Sequence, residues 1–158
     1  MYYFAYGSNM DMADLSRWCK DKGHDLSSFC LHKLGIAYLE DFKLAFNYYS
    51  TLRKAGAANI MPSKGNRVYG LLFEVDEKTR DQILRPKEGH PKHYLEMECK
   101  VIFNDSPVEA ITYKVVLNKE KSGHQHPTKE YLNLIVSNGC ENGFPKDYMT
   151  QLTVFSTL

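Results

Sequence analysis

The amino-acid sequence predicts an α+β fold, on three observations. β-prone runs dominate the middle of the chain, amphipathic helical spacing is confined to its ends and one crossover, and no βαβ unit of roughly 30 residues repeats. The 158 residues are 43% hydrophobic, 13% aromatic and 25% charged, a composition able to bury a real core. That length, with no low-complexity linker or composition shift, predicts a single domain over residues 1–158.

The elements follow in order. Tyr2 to Tyr6 is a short aromatic run suited to a strand, and it breaks at Gly7-Ser8-Asn9, three residues suited to a tight turn or a helix entry. Asp11 then caps a helix on which Met12, Leu15, Trp18 and Cys19 recur at helical spacing. Gly35 to Phe46 reads as a strand and Asn47 to Lys54 as a polar connection. Gly56 to Pro62 is a run of small residues that lets backbone approach backbone or ligand. Val68 to Val75 is the clearest strand. Asp76 caps a short helix through Leu84, Pro86 stops it, and Lys87 to Pro91 forms a turn carrying Glu88. Tyr94 to Phe103 and Ala110 to Leu117 form a hairpin across Asn104 to Pro107, with Leu95, Met97, Cys99, Val101 and Phe103 on one face. Asn118 to His126 is polar. A helix then begins near Pro127-Thr128, presents Tyr131, Leu134, Ile135 and Asn138 on one face and stops at Gly139. Pro145 opens a last helix with Tyr148, Leu152 and Phe155 inward.

Several function classes are disfavoured. A net charge of +1 without a run of Lys or Arg gives no field to gather phosphate backbones, so nucleic acid is not an expected partner. No stretch reaches the roughly 18 apolar residues of a membrane helix, and the opening MYYFAYGSNM lacks a basic leader; the expectation is a cytoplasmic protein with no membrane partner. Cys19, Cys30, Cys99 and Cys140 form no CxxC pair and read as reduced thiols. Dinucleotide, P-loop, zinc-protease and nucleophile-elbow motifs are missing, and His124-Gln125-His126 reads as a solvated loop, so no metal and no cofactor are expected. Oligomeric state is left open, a homodimer included.

Three features carry chemistry. The Tyr6-Gly7-Ser8-Asn9 turn lies between a buried strand and a helix N-terminus, where unpaired N–H groups hold a carboxylate or an oxyanion; the competing reading is a well-capped turn. Ser8 lacks the flanking glycines of a nucleophile elbow. Glu88 sits between Pro86 and Pro91 beside Gly89, where a base can stand, against the plainer reading of an exposed loop glutamate. Tyr94 and Tyr131 each open an element, with a hydroxyl near a pocket rim or, alternatively, in core packing.

These same residues give the sequence a resemblance to the γ-glutamylcyclotransferase family. YFAYGSN at Tyr3 to Asn9 is its most specific part. It is joined by LEDFKLAFN at Leu39 to Asn47, GAANI at Gly56 to Ile60, VYGLLFEV at Val68 to Val75, KEG at Lys87 to Gly89 with Tyr94 five residues on, and the segment Lys129 to Leu152. The resemblance implies a small mixed β-barrel flanked by helices. It also implies an enzyme without a cofactor that converts a γ-glutamyl amino acid or amide to 5-oxoproline and a free amine by intramolecular aminolysis. Glu88 matches the family's general acid/base. Tyr3, Phe4, Ala5, Tyr6, Gly7 and Ser8 match the strand and loop that bind the γ-glutamyl group, with Asn9, Tyr94 and Tyr131 as further substrate-binding positions. The alternatives are specialisation for a γ-glutamyl amine or metabolite, and a silent γ-glutamyl-binding module. The sequence departs from the family at Leu84 to Gly89, where the residues before the glutamate are basic instead of acidic. Arg85, Lys87, His90, Lys92 and His93 lie within five residues of Glu88. Such cations lower a carboxylate's pKa. If some face the leaving-group end, they favour γ-glutamyl amino acids over γ-glutamyl amines.

Overall fold

The computed structural model describes residues 1–158. In chain order it has β1 (Tyr2–Ala5), α1 (Met12–Asp21), β2 (Leu31–Ser50), β3 (Ala55–Val75), α2 (Glu77–Thr79), a π-helical segment (Arg80–Leu84), α3 (Arg85–Glu88), β4 (Tyr94–Phe103), β5 (Ser106–Val115), α4 (Lys129–Asn142) and α5 (Lys146–Thr153). The strands close into a barrel in the order β1-β3-β2-β4-β5. It is a mixed barrel: β1 runs antiparallel to β3 but parallel to β5, where Tyr3 faces Ile111.

The segments from Leu31 to Val75, which the sequence divides at its glycines, polar residues and Pro62, form one long hairpin. Pairing continues through Tyr48 with Ala57 and Ser50 with Ala55, so only residues 51–54 turn. Three register shifts, at Lys33/Gly35, Glu40/Phe42 and Ala45/Tyr48, bend the ribbon enough for β2 to pair with β3 and also meet β4. Pro62 sits opposite Phe42 at one of these shifts, where a missing N–H breaks no regular ladder. β4 and β5 make the expected hairpin, tightened by Asn104 and Asp105 at φ 49 and 62, the positive angles of a two-residue turn. The outward and inward faces of β4 change along its length. Met97, Cys99 and Val101 are at least partly buried, but Leu95 is 51% exposed because Tyr94 and Glu96 take inward polar partners at that end.

Two helix ends differ from expectation. Pro86 does not stop the helix after Leu84. The wider π turns lead into α3, and Pro86 falls in its first turn, where an N–H is not needed. Glu88 is therefore the last residue of a helix and not a loop residue. Gly89 ends it at φ 68, and a Cβ there would stand 2.7 Å from the His93 ring. Gly139 does not end α4, which continues to Asn142 and stops at Gly143, φ 80. A side chain at Gly139 would collide with Met149 and Phe144, so its role is to let α5 pack closely on α4. At the other end, Asp11 caps α1 by accepting from the Asp14 N–H at 2.8 Å, as its position predicts.

Phe4, Phe46, Ile60, Leu72 and Phe73 are fully buried in the main core, on both faces of the barrel wall, while Leu15, Cys19 and Ile83 join α1 to the π segment in a smaller cluster. No helix is long and apolar enough to cross a membrane. Because Ile60 has no exposed surface, Ile60→Ala is expected to lower the free energy of unfolding in urea by about 2–5 kcal/mol. Leu52→Ala, at a side chain 93% exposed on the β2–β3 turn, changes it by less than about 0.5 kcal/mol.

Candidate active site

β1 delivers the chain to the rim of the barrel, and the 3-10 turn Ser8–Met10 carries it across the opening. There, β1, α1, the β2–β3 turn, α3, the start of β4, β5 and α4 surround a cavity of about 900 Å³. Tyr3, Tyr6, Gly7, Ser8, Asn9, Glu88, Tyr94 and Tyr131 all line it. Phe4 and Ala5 do not. They are buried beneath it, Phe4 accepting a hydrogen bond on its carbonyl from Thr112 Oγ1 at 2.8 Å. These two hold up the strand from which the turn departs.

Glu88 stands at the centre of the polar contacts. Asn9 Nδ2 donates to Glu88 Oε1 at 2.7 Å and to the Tyr3 hydroxyl at 3.0 Å. One amide thus joins β1, the turn and α3. Glu88 is half-buried on the cavity wall, and its removal from water pushes its carboxyl above the ordinary glutamate value. The charges of Lys87 and Arg53 oppose that rise without cancelling it. Burial likewise raises the hydroxyls of Tyr3, Tyr6, Tyr94 and Tyr131, so all four remain protonated at neutral pH.

The tyrosines have defined partners. Tyr6 donates to the Tyr113 carbonyl, Tyr94 donates to the Ala58 carbonyl at 2.6 Å, and the Ala58 N–H donates to the Tyr131 hydroxyl at 3.2 Å. Gly7 packs beside this wall: a Cβ on it would lie 3.6 Å from the Tyr131 hydroxyl.

The basic flank of Glu88 mostly turns elsewhere. Arg85 makes a bidentate pair with Glu96 at 3.0 and 2.8 Å, and the two bonds outweigh burial to hold Glu96 below its ordinary value. His90 accepts from the Glu96 N–H at 3.1 Å, and Lys92 is exposed. Lys87 donates to Asn9 Oδ1 at 2.6 Å and pairs with Asp14 at 3.1 Å. His93 lines the cavity, but burial first, then Lys119 and Lys92, lowers its pKa and keeps it neutral. Arg53 and Lys22 are the cations on the cavity wall without a carboxylate partner, and Arg53 is the one beside the Ser8 turn. Its guanidinium lies 4.2 Å from the Tyr131 ring centre, with Nη2 3.4 Å from Ser8 Oγ. Sequence reasoning placed Arg53 in an unremarkable polar connection. Its only local signal is a lone arginine at the tip of what proves to be a tight turn.

His124 and His126 contact Ser156 near the C-terminus, away from this cavity.

The model of the AIG2-like family matches residues 67–152, more than half of the chain. A protein of Homo sapiens named Gamma-glutamylcyclotransferase is 26% identical over 154 residues, covering 95% of this chain and 76% of its own length. One of the same name from Mus musculus is 28% identical over 155 residues, with the same 95% and 76% coverage. A solved structure described as a gamma-glutamyl cyclotransferase superposes with a TM-score of 0.82 at 23% identity, covering 100% of this chain and 89% of that one. A yeast structure described as a γ-glutamyl cyclotransferase specific to glutathione reaches a TM-score of 0.65 at 11% identity, covering 96% and 93%. At those identities the two structures report a shared fold. With a family model over more than half of the chain, from the end of β3 to α5, the chain belongs to the AIG2-like family, and it has the γ-glutamyl cyclotransferase fold.

Proposed function

We propose that this protein is an enzyme that cyclises γ-glutamyl groups, releasing 5-oxoproline and the amine or amino acid they were joined to. The observation that carries this reading is the 2.7 Å bond from Asn9 to Glu88. It draws a half-buried carboxylate to the YGSN turn, although the two residues are 79 positions apart in sequence. The named relatives support the same reaction class.

The chemistry needs a base because the substrate α-ammonium has no lone pair. Glu88 takes one of its protons. The freed amine attacks the γ-carbonyl carbon of the same glutamyl group, the ring C–N bond forms, and the carbonyl electron pair moves onto oxygen. The ring nitrogen, cationic after the attack, gives up its second proton to solvent. When the oxygen pair returns, the bond to the leaving nitrogen breaks and Glu88 delivers the first proton to it, so that the lactam keeps one N–H and the amine departs neutral, to be protonated in solvent. Nucleophile and electrophile arrive in one molecule, so holding the glutamyl chain folded supplies much of the rate; such reactions reach effective molarities on the order of 10⁵ M or more. The turn at Gly7 to Asn9 presents backbone N–H groups to the substrate carboxylate or the developing oxyanion. Tyr3, Tyr6, Tyr94 and Tyr131 shape the rest of the head-group pocket. Raised above its ordinary range, Glu88 is a stronger base than a solvated carboxylate and a better acid for the return step.

Glu88→Gln is expected to reduce formation of 5-oxoproline from a γ-glutamyl dipeptide by at least about 100-fold. Wild-type turnover in that variant would overturn the mechanism. The loss is separable from unfolding by linkage. A carboxyl whose folded pKa is raised holds its proton longer in the native state than in the unfolded chain. Native stability is therefore lost as pH rises through the unfolded and then the folded value. Glu88→Gln removes that loss, so its Tm relative to wild type is higher at pH 7 than at pH 4.

For the wild type, activity requires the ionised carboxylate. The acid limb of kcat/KM is therefore expected above the ordinary glutamate value of 4.5, falling as pH drops through it.

The unpaired guanidinium of Arg53 favours a leaving group that bears a carboxylate. Arg53→Gln is expected to reduce kcat/KM for γ-Glu-Ala about tenfold, the lower end for a charged hydrogen bond because the side chain is exposed. A γ-glutamylalkylamine, which has no such carboxylate, changes by less than about twofold. Equal losses on both substrates would remove Arg53 from specificity.

A further inference from the structure

We propose that Lys87 is a positioning residue: by donating to Asn9 Oδ1 it fixes the Asn9 amide with its NH₂ toward Glu88 Oε1, leaving Oε2 as the oxygen presented to the cavity. The inference rests on the cyclisation reading only for its kinetic consequences.

The geometry leaves no choice of amide orientation. An ammonium has three donors and no acceptor, so the Asn9 atom 2.6 Å from Lys87 Nζ must be the carbonyl oxygen. The other end of that amide is then the NH₂, and it meets both Glu88 Oε1 and the Tyr3 hydroxyl. Lys87 is itself held. Its side chain is 7% exposed and its ammonium pairs with Asp14 at 3.1 Å. Asp14 is anchored through its own N–H to the Asp11 cap, and Asp11 accepts from Asn138 of α4 at 2.9 Å. The buried lysine is thus braced by α1 and α4 against a neighbour on the turn.

The consequence falls on the two carboxylate oxygens. Oε1 is taken by Asn9, while Oε2 has no hydrogen-bond partner in the protein and is not among the fully buried polar atoms that lack one. It is therefore reachable from the cavity. Without Lys87 the amide is free to turn its oxygen toward Glu88, a geometry that repels the ionised carboxylate and attracts the protonated one. Glu88 faces Lys87 on its own helix, Arg53 from the β2–β3 turn, and tyrosine hydroxyls from every other side. These are Tyr3 of β1, Tyr6 beyond it, Tyr94 of β4, Tyr113 of β5 and Tyr131 of α4. Of these, only Lys87 and Arg53 are cationic, and of the two cations it is Lys87 that touches Asn9.

The test follows the Glu88 carboxyl by ¹³C NMR titration of the full chain, assigned by its loss in Glu88→Gln, alongside steady-state kinetics on a γ-glutamyl dipeptide. Lys87→Met is expected to move the Glu88 midpoint upward. It also lowers kcat at the pH plateau by between about 10-fold and 100-fold, the scale of misplacing a reacting group by an ångström, and leaves KM within about threefold. Asn9→Ala lowers kcat similarly, and combining it with Lys87→Met loses less than the product of the single effects, because both act through one amide. Lys92→Gln, an exposed cation of the same flank, leaves the midpoint unchanged. Should Lys87→Met not fold, Lys87→Met/Asp14→Asn removes the pair together and carries the same expectations. A wild-type midpoint and kcat in the Lys87 variant, fully multiplicative losses with Asn9→Ala, or an equal midpoint shift in Lys92→Gln would each overturn the inference. The titration needs no substrate, so it tests Lys87 even if the wild type makes no 5-oxoproline, a result that would overturn the proposed reaction instead.

Discussion

The barrel closes on a strand of four residues. β1 lies between β3 and β5, antiparallel to one and parallel to the other, and its residues Tyr3, Phe4 and Ala5 are almost without exposed surface. A strand that short is stabilised by what it buries and by neighbours pairing on both edges, not by its own length. Everything proposed for the site depends on this seating. The turn that bears Asn9 leaves directly from the buried strand, Tyr3 contributes its hydroxyl from inside it, and Thr112 of β5 binds the Phe4 carbonyl.

Around Glu88 two opposing effects are set against each other. Burial raises the carboxyl's pKa and two cations lower it, and burial wins. The basic flank that looked like a threat to a catalytic base is largely neutralised by its own partners: Arg85 by Glu96 and Asp81, Lys87 by Asp14. A helix end carries the glutamate here, so consecutive side chains fan out in different directions. Arg85, Lys87 and Glu88 can be sequence neighbours and still face separate environments.

Much of this was legible in the sequence and some was not, for physical reasons. The short first strand, the Asp11 cap, the β4–β5 hairpin and the last helix are dictated locally, by period and by capping chemistry, though β5 runs Ser106–Val115, four residues earlier at its start than its residues predict, because Asn104 and Asp105 alone make the turn. The long hairpin was not legible. Gly35, Gly56 and Pro62 are strand breakers by local rules, yet here they fall at or near the bulges that curl a ribbon into a barrel, a need that arises only from closure. Pro86 misled for the same kind of reason, since a π segment before it relieves the constraint that would stop a regular helix. At the site, the glutamate and the YGSN turn were visible as residue types in unusual places. Arg53 and the Lys87–Asn9 contact were not, because both arise from pairs far apart in the chain.

The two hydroxyls that grip Ala58 have a chemical polarity of their own. Tyr94 spends its proton on the Ala58 carbonyl, so only its lone pairs remain to offer; Tyr131 accepts from the Ala58 N–H, so its proton remains free. Two identical side chains on one wall are thereby made unlike by the single residue between them. In the proposed pocket Tyr94 therefore offers an acceptor and Tyr131 a donor, so the wall distinguishes the two ends of a molecule that carries an N–H at one and an oxygen at the other.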